Sequence, residues 1–178
     1  MVKRAGAKRQ GAIVAHIFRK PRPQAGRLLT YFAVLVGAAA GLNAWIFSSG
    51  GAAWSRTLDN PAWSPPGAVI GGVWIALFAL MAVSAFLIDR SDEAGRRRAA
   101  RAGVLAWWAI CMSWTWFYFG LQNVTNGFTV TVIAFVFGLP VIWLALRANA
   151  VAAALLLPLQ AWLGFALVLS WTTWRLNA

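Results

Sequence analysis

Ala102–Leu146, AGVLAWWAIC MSWTWFYFGL QNVTNGFTVT VIAFVFGLPV IWLAL, runs for 45 residues without an Asp, Glu, Lys, Arg or His. A helix needs about 20 mostly apolar residues to cross a bilayer, so this run has room for two crossings. Its polar interruption is Gln122-Asn123-Val124-Thr125-Asn126-Gly127, a cluster of turn-forming residues. The run therefore reads as two spans joined by a turn. Outward from it, the uncharged runs Leu28–Ser55, Asn60–Ile88 and Ala148–Trp174 hold one span each. The fold predicted is an all-α membrane protein, a bundle of five transmembrane helices. Its spans are Leu28–Phe47, Ala68–Ile88, Ala102–Leu121, Phe128–Leu146 and Ala150–Thr172.

Composition agrees. The 178 residues are 61% hydrophobic and 11% charged, whereas soluble domains carry about 25% charged residues. The 16 Lys and Arg are clustered. Eight precede Leu28, and Arg90, Arg96, Arg97, Arg98 and Arg101 stand between the second and third spans. An N-terminus inside the cell leaves 14 basic residues in cytoplasmic segments and Arg56 and Arg175 outside. Positive residues favour the cytoplasmic side, so the topology expected is N-terminus in, C-terminus out, in a bacterial inner membrane. Residues 1–27 read as a basic, disordered cytoplasmic tail and 28–178 as the membrane domain. The tail suits anionic lipid headgroups; it lacks the aromatic or motif context of a nucleic-acid binder. It is also too long, and the apolar stretch after it too extended, for a cleavable signal.

Conventional catalysis finds few candidates. His16 lies in the tail, and Asp59, Asp89, Asp92 and Glu93 all lie outside the spans, so neither a Ser/His/Asp triad nor a carboxylate pair can form in the bundle. One histidine and one cysteine, Cys111, make no metal site and no internal disulfide. A charged residue within a span would mark a proton or ion path, and the predicted spans contain none.

Tryptophan is abundant, with 12 residues. Its amphipathic ring favours the headgroup interface, the place expected for Trp54, Trp63, Trp107, Trp108, Trp171 and Trp174. Trp74, Trp114 and Trp162 fall several residues inside their spans, as core or as the wall of a ligand cavity. An indole wall suits a flat, polarizable aromatic ligand. Between the first two spans, Pro61, Pro65 and Pro66 fall within six residues. They forbid helix and restrain their neighbours, giving a stiff loop that sets Trp63 beside the second span. Gly37-x-x-x-Gly41 lets two helix backbones approach closely, within one bundle or between two copies.

Leu58-x-x-Pro61-x-Trp63-x-Pro65-Pro66-Gly67, then Trp74 and Leu77-x-x-Leu80-Met81, resembles the tryptophan-rich sensory protein/translocator protein family, also called the peripheral-type benzodiazepine receptor family. The likeness continues through Trp114-Thr115, Tyr118-Phe119-Gly120, Leu155-Leu156-Leu157-Pro158-x-x-x-Trp162 and Trp174-Arg175-Leu176-Asn177. It implies a five-helix bundle, commonly a homodimer, that binds porphyrins and related tetrapyrroles beneath the loop between the first two helices. Haem is a candidate ligand of the same class, and no cofactor is required. By position, Trp63, Pro65 and Pro66 fall in the lid loop. Trp74, Trp114 and Trp162 fall among the cavity aromatics, with Ala166 one turn beyond Trp162. Cys111 stands where the family has an asparagine, Ser55 and Leu159 where it has tyrosines. No tyrosine of a sterol-recognition pattern occurs at the end of the fifth span. Porphyrin breakdown in light, proposed for some members, would involve Trp74 and Trp162; a structural membrane subunit with aromatic anchoring is the other alternative to a binding role.

Overall fold

A computed structural model describes residues 24–177 of the chain; the basic tail falls almost wholly outside them. The helices are α1 (Gln24–Ser48), a short α2 (Gly51–Ser55), α3 (Gly67–Ile88), α4 (Ala94–Thr115), α5 (Val124–Ala148), a short α6 (Ala150–Ala154) and α7 (Leu157–Asn177). α4 runs on into a π-helical turn, Trp116–Gly120. Among the described residues, four segments are long and apolar enough to cross a membrane by themselves: Ala25–Ser48, Gly67–Ile88, Val124–Ala148 and Ala150–Asn177. α4 begins with Arg96, Arg97, Arg98 and Arg101, and only its uncharged part with the π turn is apolar. These five segments are the five predicted spans.

Local chemistry sets the ends. Asn123 accepts a hydrogen bond from the Asn126 amide at 2.9 Å and caps α5, so the polar cluster is a helix start as well as a turn. Gln122 takes up the left-handed conformation, φ 49°, that reverses the chain. The fifth span is not continuous as predicted. Pro158 has no N–H to offer the preceding turn, and the chain breaks at Leu155–Leu156 between α6 and α7.

α4 packs most extensively along α5, α1 along α3, and α7 along α5. The tight core lies at the end of the bundle that carries the basic cluster. There Leu35, Met81, Ile88, Val104, Trp107, Val141, Leu156 and Leu159 are buried. Ala82, Ala85, Ala100, Ala145, Ala152 and Ala153 let the backbones approach. Lipid offers no hydrophobic drive between helices, so close packing and interhelical hydrogen bonds carry association, the latter about 0.6 kcal/mol each. Ser84 Oγ donates to Ala152 O at 2.9 Å and Trp108 Nε1 to Leu35 O at 3.3 Å. At the same end the Asp89 carboxylate, 7% exposed, accepts from Tyr31 at 2.8 Å and Arg101 at 3.1 Å, with Arg27 at 4.0 Å. It ties α1, α3 and α4 together.

Two sequence expectations change here. Trp107 is not at the interface; it is fully buried. Its N–H finds Ala134 O at 2.8 Å, so the polar edge that would draw it to water is satisfied inside. Trp108, also expected at the interface, is half-buried against α1. Gly37 and Gly41 do not pack within the bundle, since a Cβ on either would meet nothing within 4 Å.

Gly138 makes the Trp107 site possible. A Cβ there would run into the Trp107 ring and Gln160 Oε1. Gly138→Ala should destabilise the bundle by about 1–3 kcal/mol through overpacking, measured by reversible denaturation in mixed micelles. Gly72→Ala, where a Cβ meets nothing within 4 Å, should leave stability equal or slightly higher.

Candidate functional site

At the opposite end the helices separate. A cavity of about 800 Å³ opens there, lined by all five long helices, α2 and the loop before α3. Ligand sites commonly measure about 300–1,000 Å³. Its floor is made by Ala39, Phe78, Cys111, Ala134 and Leu163, where the packed half begins.

The walls are aromatic. Trp74 from α3 tilts against Phe78 at 5.4 Å between ring centroids. Trp114 from α4 stacks on Tyr118 at 4.6 Å with 15° between planes. Trp162 from α7 lies 5.1 Å from Phe165. Their N–H groups differ. Trp114 Nε1 donates to Gly127 O at 3.0 Å, whereas the buried Trp162 Nε1 has no acceptor among the described residues. A buried donor left unpaired is costly.

The π turn positions two further wall residues, Tyr118 and Phe119. Its wider winding is seen in Leu121 N–H to Trp116 O at 3.0 Å and Asn123 N–H to Tyr118 O at 3.1 Å. Gly127 leaves room for the Tyr118 ring, which a Cβ would strike. Phe119 in turn lies against Gly51 of α2, 3.0 Å from where a Cβ would sit. Trp54 meets Tyr118 edge-on at 5.1 Å. α2 is thus mounted on the π turn.

The proline loop closes part of the mouth. Pro61 O accepts from the Ser64 amide at 2.9 Å, and Pro66 O receives the Val69 amide at 2.9 Å at the start of α3. Asn177, at the end of α7, grips the loop backbone twice: its Oδ1 accepts from Asp59 N–H at 3.0 Å and its Nδ2 donates to Asp59 O at 2.8 Å. Trp63 is 49% exposed and touches Phe165 edge-on at 5.9 Å.

Of the residues singled out in sequence, Pro65, Trp74, Cys111, Trp114, Trp162 and Ala166 come together on the cavity lining. Trp63 and Pro66 stand outside the lining, Trp63 on the loop surface and Pro66 as the residue preceding α3. Sequence reasoning missed Tyr118, Phe119 and Arg56 on the lining. The π turn that presents the first two has no simple periodic signature, although Trp116-Phe117-Tyr118-Phe119-Gly120 is itself unusually aromatic. Trp54 and Trp174 are half-buried rather than simply interfacial; Trp174 donates to Thr125 Oγ1 at 3.1 Å and stacks on Phe128. Trp171, expected at the interface, is 46% exposed beneath Arg175.

Known proteins share this arrangement in sequence. Residues 30–175 match the TspO/MBR family. The chain is 32% identical to the protein CrtK of Rhodobacter capsulatus, covering 84% of this chain and 94% of that one. It is 28% identical to the tryptophan-rich protein TspO of Bacillus cereus, over 70% of this chain and 80% of the relative. It is 29% identical to the human translocator protein, over 71% and 76%. A match across nearly the whole helical bundle, together with the proline loop and indole wall, places the chain in the TspO/MBR family of integral membrane proteins.

Proposed function

We propose that the chain is a membrane receptor or sensor that binds porphyrins or related tetrapyrroles, haem among them, in the cavity beneath the loop. The observation that carries this reading is the convergence of Trp74, Trp114 and Trp162 on one cavity of about 800 Å³. Their ring faces suit a planar, polarizable ligand. Transport or regulation would follow from occupancy, through the loop that Asn177 holds. The reading also places the protein in a bacterial inner membrane with its basic end inside, and pairs it as a homodimer. Gly37 and Gly41 face outward on α1, where a second copy could approach closely.

Loss of one stacking partner costs about 0.5–1.5 kcal/mol beyond lost area, and 1.4 kcal/mol is about tenfold in affinity. Titration with protoporphyrin in the dark, followed by Trp fluorescence, should show Trp74→Phe weakening binding by a few-fold and Trp162→Ala by more. Trp171→Phe should bind as the parent does. Folding of each variant is checked by circular dichroism, since a void can loosen the bundle. Parent-like binding by both folded variants would move the site elsewhere. Light-dependent bleaching of bound porphyrin by the parent, lost in both variants, would instead favour degradation.

Orientation is tested with reporter fusions. A reporter after Ala178 should be active only outside the cytoplasm, and one between Asp92 and Arg96 only inside. A cytoplasmic C-terminus contradicts this topology. For the dimer, crosslinking in lipid should trap pairs of the parent chain and fewer of Gly37→Leu. Monomer alone from the parent chain would overturn the pairing.

A further inference from the structure

Among the described residues the cavity lining carries one charged side chain, Arg56. It caps the C-terminus of α2, and its Nε donates to Ala52 O at 3.1 Å. That bond fixes the base of the guanidinium and leaves both terminal nitrogens without a partner in the described ion pairs. Those ion pairs join Asp89 with Arg27 and Arg101, and Glu93 with Arg96, all at the far, basic end of the bundle. α2 is a firm mount for the guanidinium, because Gly51 abuts Phe119 and Trp54 abuts Tyr118.

Ser55, Asn60 and Ser64 share the lining with Arg56 on α2 and the loop, Asn43, Thr131 and Thr173 line it from the long helices, and the floor is Phe78, Cys111, Ala134 and Leu163. The acid nearest in sequence, Asp59, is exposed on the loop and is absent from the lining. Arg175, the other cation at this end, lies over the outward Trp171 ring. The mouth therefore holds an exposed guanidinium with no ion-pair partner among the described residues, above an aromatic wall. A guanidinium fork matches a carboxylate bidentately.

We propose that Arg56 is a specificity-determining residue that selects amphipathic aromatic acids, holding the ligand's carboxylate at the mouth while its rings lie against the indole wall. This rests on the reading of the cavity as a ligand site, and it names the chemical class the site accepts. Neutral analogues of the same shape fill the interior and leave Arg56 without its partner. A headgroup of an anionic lipid carries the same charge, so the test separates the two sources.

The experiment compares each acid with its methyl ester in discs of phosphatidylcholine, using protoporphyrin and its dimethyl ester, and pyrenebutyrate and its methyl ester. The Arg56→Gln variant should bind both acids roughly three- to tenfold more weakly than the parent, as befits a partly solvated charge-assisted pair. Its binding of the esters should not change. Arg56→Lys should recover part of the lost affinity for the acids. In discs that also contain phosphatidylglycerol the parent should keep its preference for acids over the response of Arg56→Gln. If that preference disappears there, the guanidinium serves lipid headgroups and the proposal falls. It also falls if Arg56→Gln weakens acid and ester alike, weakens neither, or if the parent binds neither pyrene compound. Should the parent discriminate the pyrene pair through Arg56 yet bind no porphyrin, the porphyrin reading fails and the assignment of Arg56 stands.

Discussion

The close approach of α4 to α5 at Gly138 is the contact on which the rest of the bundle depends. With no Cβ at Gly138, the Trp107 indole lies flush against α5 and its N–H reaches Ala134 O at 2.8 Å. Gln160 enters the same space from α7 and donates to Phe135 O at 3.1 Å. Three helices are thereby joined through backbone carbonyls of a single helix, in a medium where water cannot satisfy those groups. Alanines around this point bring the remaining helices into contact, and Asp89 closes the end with its paired Tyr31 and Arg101. With one half of the bundle packed so closely, the other half can stay open without the helices drifting apart.

The open half is built from different materials. Bulky rings separate α1, α3, α4 and α7 there, and the wall is stiffened by ring contacts: Trp114 on Tyr118, Trp162 on Phe165, Trp45 on Trp116 at 5.8 Å. The loop before α3 gains rigidity from its prolines and from the two hydrogen bonds of Asn177 to Asp59. Asn177 also donates to Thr173 O at 2.8 Å, so the residue that grips the loop is itself held on α7. A displacement of α7 at Trp162 would reach the loop through this helix end. Trp162 and the residue that holds the loop thus lie on the same helix.

Much of this was legible in the chain. Charge-free run lengths were enough for five spans, because lipid tolerates so few charges that a missing Arg or Asp is as informative as a present Leu. The polar break at Gln122–Gly127 was legible for the same reason. Trp74, Trp114 and Trp162 stood out by their depth within spans, and the proline loop by its steric restraint. What could not be read was which indole had found an internal acceptor. Trp107 looks like its neighbour Trp108 in sequence, yet its burial depends on a glycine in another helix, 31 positions away at Gly138. Likewise the π turn seats Tyr118 over Gly127, a tertiary contact with no period of its own. Arg56 read as one of three stray cations outside the basic clusters; its meaning lies in the short helix α2, which sequence periodicity does not reveal over five residues.

The indole N–H signals of the 12 tryptophans offer the most direct measurement of the central claim, that the indole-walled cavity is where the ligand binds. A porphyrin ring current shifts nuclei stacked on its face strongly and distant ones little. In lipid discs, protoporphyrin should displace the Trp74, Trp114 and Trp162 signals and leave buried Trp107 and outward Trp143 in place. Shifts confined to Trp143, Trp171 and other outward rings, with the three cavity signals unmoved, would contradict the account.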